Sequence, residues 1–252
     1  MLRIAPRRFD RRSLPGIYLA AAMLGVLGHF LPSTTAPIAP QATSPTPTAP
    51  VSADVLTEVA GTAPGDRVVA LTFDDGPDPR YTPRVLDLLR QHGAVATFCV
   101  VGRQVSAHPD LVHAVADAGM RLCDHTRAHD EELRTRPPAQ ISEDILGTRD
   151  AMWAVADVHV PYFRAPAGNW SPDVARIAAD GGMQPLGWTI DPRDWRRPGT
   201  AAIVTEVQQK VRPGAVILLH DGGGNRDQTM AALELLLPWL QQQGYRFVFP
   251  SP

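Results

Sequence analysis

Two adjacent carboxylates, Asp74 and Asp75, follow a short apolar run and precede Gly76-Pro77. Further along the chain, His125 and His129 stand four residues apart, a spacing that predicts two imidazoles on the same side of one helical turn. One carboxylate and two imidazoles can hold a catalytic divalent metal and leave positions open for water and substrate. We therefore predict a metal site at Asp75, His125 and His129, with Asp74 as the general base that takes a proton from the attacking water. The alternative for Asp74 is a structural role as the cap of the following turn.

Three further residues extend this chemistry. His220 ends Ile217-Leu218-Leu219-His220, the most continuously apolar run of the chain, where a histidine is either a hydrogen-bonded core residue or a catalytic group. Opposite a metal and a base, it is the candidate general acid for the leaving amine. Asp194 is the candidate partner that sets the charge of His220, and Arg164 is the candidate cation that holds the Asp74 carboxylate.

From Arg67 onward, strand-like runs alternate with helix-like segments, which indicates a parallel sheet with helical crossovers. The predicted strands are 68–73, 96–101, 120–124, 162–164, 185–190, 215–220 and 246–249. The predicted helices are 82–92 with Thr82 as its cap, one from about 109, 138–155, one opened by Ser171-Pro172, 200–211 and 227–243.

The polar residues decide between a barrel and an open sheet. Asp74/Asp75, Asp124/His125, Arg164, Asp191 and His220 each fall at the C-terminal end of a different predicted strand. In a β/α barrel those ends converge on one rim, whereas an open doubly wound sheet spreads them along a line. We therefore predict a distorted (β/α)7 barrel of TIM-barrel type.

Five motifs in order make the chain resemble a known family. They are TFDDG at Thr72–Gly76, HTxxH at His125–His129, RxPxG at Arg164–Gly168, DxxDW at Asp191–Trp195 and LxH at Leu218–His220. The pattern resembles the polysaccharide deacetylases of carbohydrate esterase family 4, which carry the NodB homology domain. The resemblance covers about residues 67–249. It implies a metal-dependent hydrolase that removes N-acetyl groups from peptidoglycan or chitin-type oligosaccharides and releases acetate.

The resemblance also implies roles for individual residues. Asp74 would be the base, His220 the acid, Asp194 the residue that tunes His220, and Arg164 the residue that positions Asp74. The metal held by Asp75, His125 and His129 would be a divalent ion, usually zinc in this family. Trp195 and Leu218 would line the pocket for the acetyl methyl group, and the backbone N–H of Ala167 would help to form an oxyanion hole.

Two positions depart from the family pattern. Ala167 stands where the family commonly has an aromatic residue, so the N–H is kept but one wall of the sugar groove is missing. This makes the substrate preference harder to predict than the activity. Asp124 stands where the family often has Asn, beside a predicted metal ligand.

Charge and composition divide the chain into three parts. The 252 residues carry a formal net charge of −2, but the first 31 are strongly basic and the part from residue 67 onward is only weakly acidic. A nearly neutral domain argues against a nucleic-acid surface. We predict a signal peptide or membrane anchor over 1–31, a Pro/Thr-rich disordered linker over 32–66 that need not pack, and a monomeric catalytic domain over 67–252.

The N-terminal segment predicts a location outside the cytoplasm. Five arginines precede an uncharged apolar stretch, 14–31, whose length lies between that of a signal-peptide core and that of a spanning helix. We slightly favour a retained anchor in the membrane over a cleaved, secreted form. In an exported domain Cys99 and Cys123 can form a disulfide, although two buried free thiols are equally compatible with the sequence.

Two rival functions use the same groove. A wall-binding pseudoenzyme would bind sugars as a lectin does, but binding alone requires neither a base nor an acid. An esterase acting on O-acetylated xylan would use the same residues, since only the leaving atom differs.

Overall fold

The structure is a computed structural model that describes residues 51–60, 63 and 65–251. Seven strands and seven α-helices alternate in this part of the chain, together with three short 3₁₀ helices. The strands are β1 (Val68–Asp74), β2 (Ala96–Val100), β3 (Arg121–Asp124), β4 (Tyr162–Phe163), β5 (Gln184–Pro185), β6 (Ala215–His220) and β7 (Arg246–Phe247). The helices are α1 (Thr82–Gln91), α2 (Gly102–Ala107), α3 (Pro109–Asp117), α4 (Pro138–Ala156), α5 (Pro172–Asp180), α6 (Thr200–Lys210) and α7 (Asp227–Gln242).

All strand pairings are parallel, in the order β5-β4-β3-β2-β1-β6, and β7 pairs with the beginning of β1. An isolated parallel bridge between Ile190 and Ile217 links the segment after β5 to β6, so the two ends of this order meet. The curled parallel sheet with its helices confirms the predicted distorted (β/α)7 barrel.

The strands are apolar because both of their faces are covered. Every residue of β1 and β6 is buried, as expected for parallel strands that contact helices on one face and the barrel interior on the other. The core includes Phe73 and Phe98, whose rings stack with centroids 5.3 Å apart. The strand ends that carry Asp74, Asp124 and His220 are therefore held by the buried core.

Local helix signals are mostly confirmed. Ser171 caps α5 by accepting the backbone N–H of Val174. The prediction that Thr82 caps α1 is wrong, because Thr82 is the first helical residue and Tyr81 precedes it. The Thr82 hydroxyl instead donates to the carboxylate of Asp221, across the barrel rim.

Several elements differ from the sequence predictions, and β7 is two residues long instead of four. Helix α2 was not predicted, because its sequence lacks an apolar period; the N–H groups of Gly102 and Arg103 bond to the carbonyls of Thr126 and Arg127 at its start. Strand β5 is two residues long instead of six. The chain leaves the ladder where the N–H of Gly187 bonds to Leu56 of the upstream segment.

The upstream segment packs on the barrel, unlike the predicted linker. Leu56 bridges Leu186, Glu58 bridges Ala215, and Val59 is buried. Apolar side chains near the end of the Pro/Thr-rich stretch thus join the fold. The apolar stretch at 14–31 and the linker up to residue 50 lie outside the described residues. Among the residues described, no helix has the length and hydropathy required to cross a bilayer.

Cys99 and Cys123 form a disulfide. They are register partners on β2 and β3, and both are fully buried. The pairing answers the question that the sequence left open. It also ties β2 to β3 one residue before Asp124 and two before His125.

Candidate active site

The carboxylate pair lies at the end of the central strand. Asp74 is the last residue of β1 and is only 3% exposed, whereas Asp75 follows the strand with a left-handed φ of 73° and is partly exposed. Gly76 is required next, since a Cβ there would lie 2.5 Å from the Asp221 carboxylate oxygens. The sharp turn therefore directs two consecutive carboxylates toward one cavity.

Arg164 holds the Asp74 carboxylate from inside the barrel. Its Nη1 donates to Asp74 Oδ1 at 2.7 Å and to Thr72 Oγ1 at 2.8 Å. The guanidinium is completely buried, and its other nitrogens donate to the carbonyls of Leu186 and Gly187. Such a multiply bonded planar cation has one orientation only, so Asp74 is fixed as well.

Asp74 stays ionised despite its burial. Burial alone would raise the pKa of this carboxyl, but the charge of Arg164, aided by that of His220, outweighs it and holds the pKa below the usual range. Asp74 is thus a carboxylate near neutral pH, which is the protonation state that a general base requires.

Asp75, His125 and His129 come together as a group that fits a metal ion. Their ligand atoms all lie within 4.8 Å of one another. The Nε2 atoms of His125 and His129 lie 3.7 and 3.4 Å from Asp75 Oδ1, and that oxygen is buried without a hydrogen-bond partner. An unpaired carboxylate oxygen facing two imidazole nitrogens is what a divalent cation would satisfy.

The tautomer of His125 supports this fit. Its Nδ1–H donates to the backbone carbonyl of Arg164 at 2.8 Å, which leaves the Nε2 lone pair directed at the Asp75 side. Burial lowers the pKa of His125, so the ring is neutral, as a metal ligand must be. The residues present therefore fit a divalent metal.

The predicted helical turn between the histidines is wrong. Residues 125–129 form an irregular turn in which Thr126 and His129 have left-handed φ angles of 66° and 57°. Asp124 shapes this turn, because its Oδ1 accepts the backbone N–H of Thr126 at 2.8 Å. The two imidazoles still meet, with ring centroids 5.0 Å apart. Spacing alone predicted their proximity but not the backbone that produces it.

His220 and Asp194 form a hydrogen-bonded pair at the end of β6. The His220 Nδ1–H donates to Asp194 Oδ1 at 2.7 Å, while Oδ2 accepts the His220 backbone N–H and the Thr229 hydroxyl. Burial alone would lower the pKa of His220, but the hydrogen bond and charge of Asp194 raise it to about 9. The ring is therefore protonated at neutral pH and able to act as an acid.

These residues line one cavity of about 470 Å³. Of the residues predicted from the sequence, it is lined by Asp74, Asp75, His125, His129, Ala167, Asp191, Trp195, Leu218 and His220. Arg164 and Asp194 do not line it but contact Asp74 and His220 from behind. Trp195 is 43% exposed at the mouth, whereas Leu218 is buried.

Sequence reasoning missed several residues around this cavity. Trp188 lines it, with the Arg164 guanidinium carbon 5.5 Å from its ring centroid, and a Cβ at Gly168 would lie 2.8 Å from the Trp188 ring. Asp221 lies beneath the Asp pair, and burial, together with the charges of Asp75 and Asp74, raises its pKa to about 7. The sequence marks these two residues only by their neighbours, because Trp188 precedes the DxxDW motif and Asp221 follows the LxH motif.

Arg226 and Glu131 were also missed, and both line the cavity. Arg226 is buried and follows a run of three glycines after Asp221. No motif or apolar period marks either residue. Only the tertiary structure brings them to the site.

Comparison with known proteins gives consistent matches. A family model described as polysaccharide deacetylase matches residues 61–186, half of the chain. A chitooligosaccharide deacetylase from Bradyrhizobium sp. (strain ANU 289) is 40% identical over 204 residues, covering 76% of this chain and 92% of that protein. A peptidoglycan-N-acetylglucosamine deacetylase from Bacillus cereus is 42% identical over 190 residues, covering 74% and 87%. Among solved structures, a CE4 family pseudoenzyme from Bacillus anthracis matches with a TM-score of 0.72 at 28% identity, covering 78% of this chain and 67% of that chain.

Proposed function

The chain belongs to the polysaccharide deacetylase family, and from that premise we propose that it is a metal-dependent hydrolase of amino-sugar polymers. It removes N-acetyl groups from peptidoglycan or chitin-type oligosaccharides and releases acetate. The observation that carries this proposal is the shared cavity, which is lined by a carboxylate fixed by Arg164, a protonated His220 and a three-residue ligand group. A sugar-binding groove alone would need none of these pairings.

Asp75, His125 and His129 would hold the metal, with zinc as the ion that we propose. When bound, a divalent cation supplies polarisation of the acetyl carbonyl and lowers the pKa of the attacking water. The protein residues then account for the proton movements. Asp74 accepts a proton from the water, and Arg164 keeps Asp74 ionised and oriented until it does so.

His220 completes the cycle as the acid. Its Nδ1–H is held by Asp194, so the proton available to the leaving amine is the one on Nε2. The nitrogen leaves as an amine once protonated, and Asp74 and His220 exchange their starting protonation states. Ala167, with a left-handed φ of 52° on the cavity wall, would offer its N–H to the developing oxyanion.

A pair of variants tests the assignments. Asp75→Ala should abolish metal binding and acetate release together, because it removes a ligand. Asp74→Asn should abolish turnover but retain the metal, because the three ligands remain. Metal content by elemental analysis and acetate release from chitooligosaccharides are the two measurements. Near-normal turnover by the Asp74→Asn protein would refute the base assignment.

The same acetate assay separates the rival functions. The matching Bacillus anthracis structure is that of a pseudoenzyme, so this fold also occurs in a protein classed as a pseudoenzyme, and a protein that only binds glycans is the alternative to test. Glycan binding without acetate release in the metal-loaded protein would favour that alternative. Acetate release on acetylxylan, in preference to peptidoglycan and chitooligosaccharides, would favour an esterase.

We further propose that the catalytic domain works outside the cytoplasm, as a monomer secreted or anchored in the membrane by residues 1–31. The buried disulfide between Cys99 and Cys123 supports an oxidising compartment. Labelling of intact cells with a membrane-impermeant reagent, followed by detection of the tagged catalytic domain, tests this location. A protein that is labelled only after lysis would contradict it.

A further inference from the structure

One side of the cavity carries positive charge that the catalytic residues do not use. Arg226 is 4% exposed and lines the cavity. Its Nε donates to the Gly222 carbonyl at 2.6 Å, and its Nη atoms donate to the carbonyls of Gly223 and Trp195 at 3.1 and 3.4 Å. A guanidinium has five N–H donors, so two remain beyond these three bonds.

Arg226 has no carboxylate partner within 4.0 Å among the described residues, unlike Arg164, which is also buried. Two carboxylates at the cavity have other partners, since Asp74 is bound to Arg164 and Asp194 is bound to His220. A buried cation without a counterion is costly, so an anion that enters the cavity beside Arg226 would be stabilised.

A second arginine lies beside Trp195, which lines the cavity. The Arg196 guanidinium carbon lies 4.6 Å from the centroid of the Trp195 ring, and Trp195 also contacts Arg226 through its carbonyl. Arg196 is exposed and forms no ion pair within the part of the chain that the structure describes. We call Arg196 and Arg226 the arginine wall.

The cavity also carries negative charge away from the catalytic pairings. Glu131 lies beside His129, 3.9 Å from its Nδ1, on the side of the metal-ligand group. Asp191 lines the cavity and accepts the backbone N–H of Arg193. Neither carboxylate forms an ion pair with the arginine wall within the described residues, so both of its guanidinium groups remain available to a carboxylate of the substrate.

From these observations we propose that the arginine wall binds carboxylates carried by the sugar polymer. This inference rests on the proposed deacetylase function and adds its substrate class: an N-acetylated glycan with acidic sugars, in preference to a neutral chitin-type chain. Two kinds of sugar supply such a carboxylate, a lactyl ether of an amino sugar and a uronic acid. Arg226 binds the carboxylate at the cavity wall, and Arg196 does so at the mouth beside Trp195.

The test compares each acidic polymer with itself after its carboxylates are blocked as methylamides. The polymers are peptide-free glycan strands with lactyl groups and an oligosaccharide of alternating uronate and N-acetylglucosamine. The readout is the ratio of kcat/KM for acetate release, free over blocked. We expect a ratio of about tenfold or more for at least one polymer, because charge-assisted hydrogen bonds discriminate by that order. The polymer that shows it identifies the sugar.

Variants then assign the ratio to the wall. Arg226→Gln and the exposed Arg196→Gln should each bring the ratio toward one, whereas Arg226→Lys should keep part of it. A merely structural role of Arg226 would lower both rates and leave the ratio unchanged. Arg90→Gln, a matched charge change on α1 where Arg90 pairs with Asp87, should not alter the ratio.

The outcomes separate this inference from the proposed function. A ratio near one for both polymers would overturn the proposal that the arginine wall binds carboxylates. A ratio that stays unchanged in both Gln variants would overturn it as well. Calorimetry measures the corresponding ratio of binding affinities, for the free polymer over the blocked polymer, and it needs no turnover. A retained affinity ratio without acetate release from any glycan, neutral tetramers of N-acetylglucosamine included, would refute the deacetylase function and leave the carboxylate site standing.

Discussion

Replacing Asp194 by Asn should move the alkaline limit of activity. Asp194 raises the pKa of His220 from an ordinary 6.5 to about 9, against the opposing effect of burial. Because the acid acts in its protonated form, activity is lost as the pH rises through this pKa. Removing the carboxylate charge should therefore shift the alkaline limb of kcat/KM downward, toward 6.5.

The expected size follows from the protonated fraction of His220. At pH 8 that fraction is about 90% for a pKa of about 9 but only about 3% for a pKa of 6.5, so activity should fall by up to about 30-fold. At pH 6 both proteins hold the proton, and the difference should be small. The interaction lost corresponds to about 3 kcal/mol at most, since one pKa unit is about 1.4 kcal/mol.

Acetate release measured from pH 5.5 to 10 on one substrate gives the two profiles. Metal content should be unchanged, because Asp194 touches none of the three ligand residues. Asp191→Asn is the matched control, because it removes a carboxylate from the same loop. The Asp191 carboxylate accepts a hydrogen bond from Arg193 and none from His220, so the alkaline limb of this variant should stay in place. An alkaline limb that is identical in the Asp194→Asn and wild-type proteins would refute the assignment of His220 as the acid tuned by Asp194.

Two further predictions concern the supports of the site. Arg164→Gln removes the cation that lowers the pKa of Asp74, so the acidic limb of kcat/KM should move to higher pH. The variant also leaves a buried carboxylate unpaired, which should reduce the free energy of unfolding by about 3–5 kcal/mol in urea titrations. An acidic limb that does not move would contradict the role of Arg164. Replacing both Cys99 and Cys123 by Ala should lower the unfolding free energy by about 3 kcal/mol, because the bridge closes a loop of 24 residues in the unfolded chain. A change below about 0.5 kcal/mol would show that chain entropy is not what this disulfide contributes.

The barrel could be predicted because its signals are local. Buried parallel strands are apolar along nearly their whole length, as in β6, and several of the helices between them begin with Pro, as α5 does after its capping residue Ser171. The prediction lost detail where tertiary contacts override local preference. Strand β5 is shortened where Gly187 bonds to Leu56, and α2 begins on carbonyls of the His125–His129 turn.

The sequence by itself determined the reacting groups, because Asp74 and His220 end parallel strands and Asp75, His125 and Arg164 directly follow one. In a barrel all such ends point to one rim, so Asp74, Asp75 and His220 had to meet there. Only the tertiary structure decided how these groups are charged. The pKa of His220 depends on its distance to Asp194. Arg226 is held at the cavity by hydrogen bonds to three backbone carbonyls, and no sequence motif marks these contacts. Charge depends on burial and on contacts between distant segments, which spacing along the chain does not record.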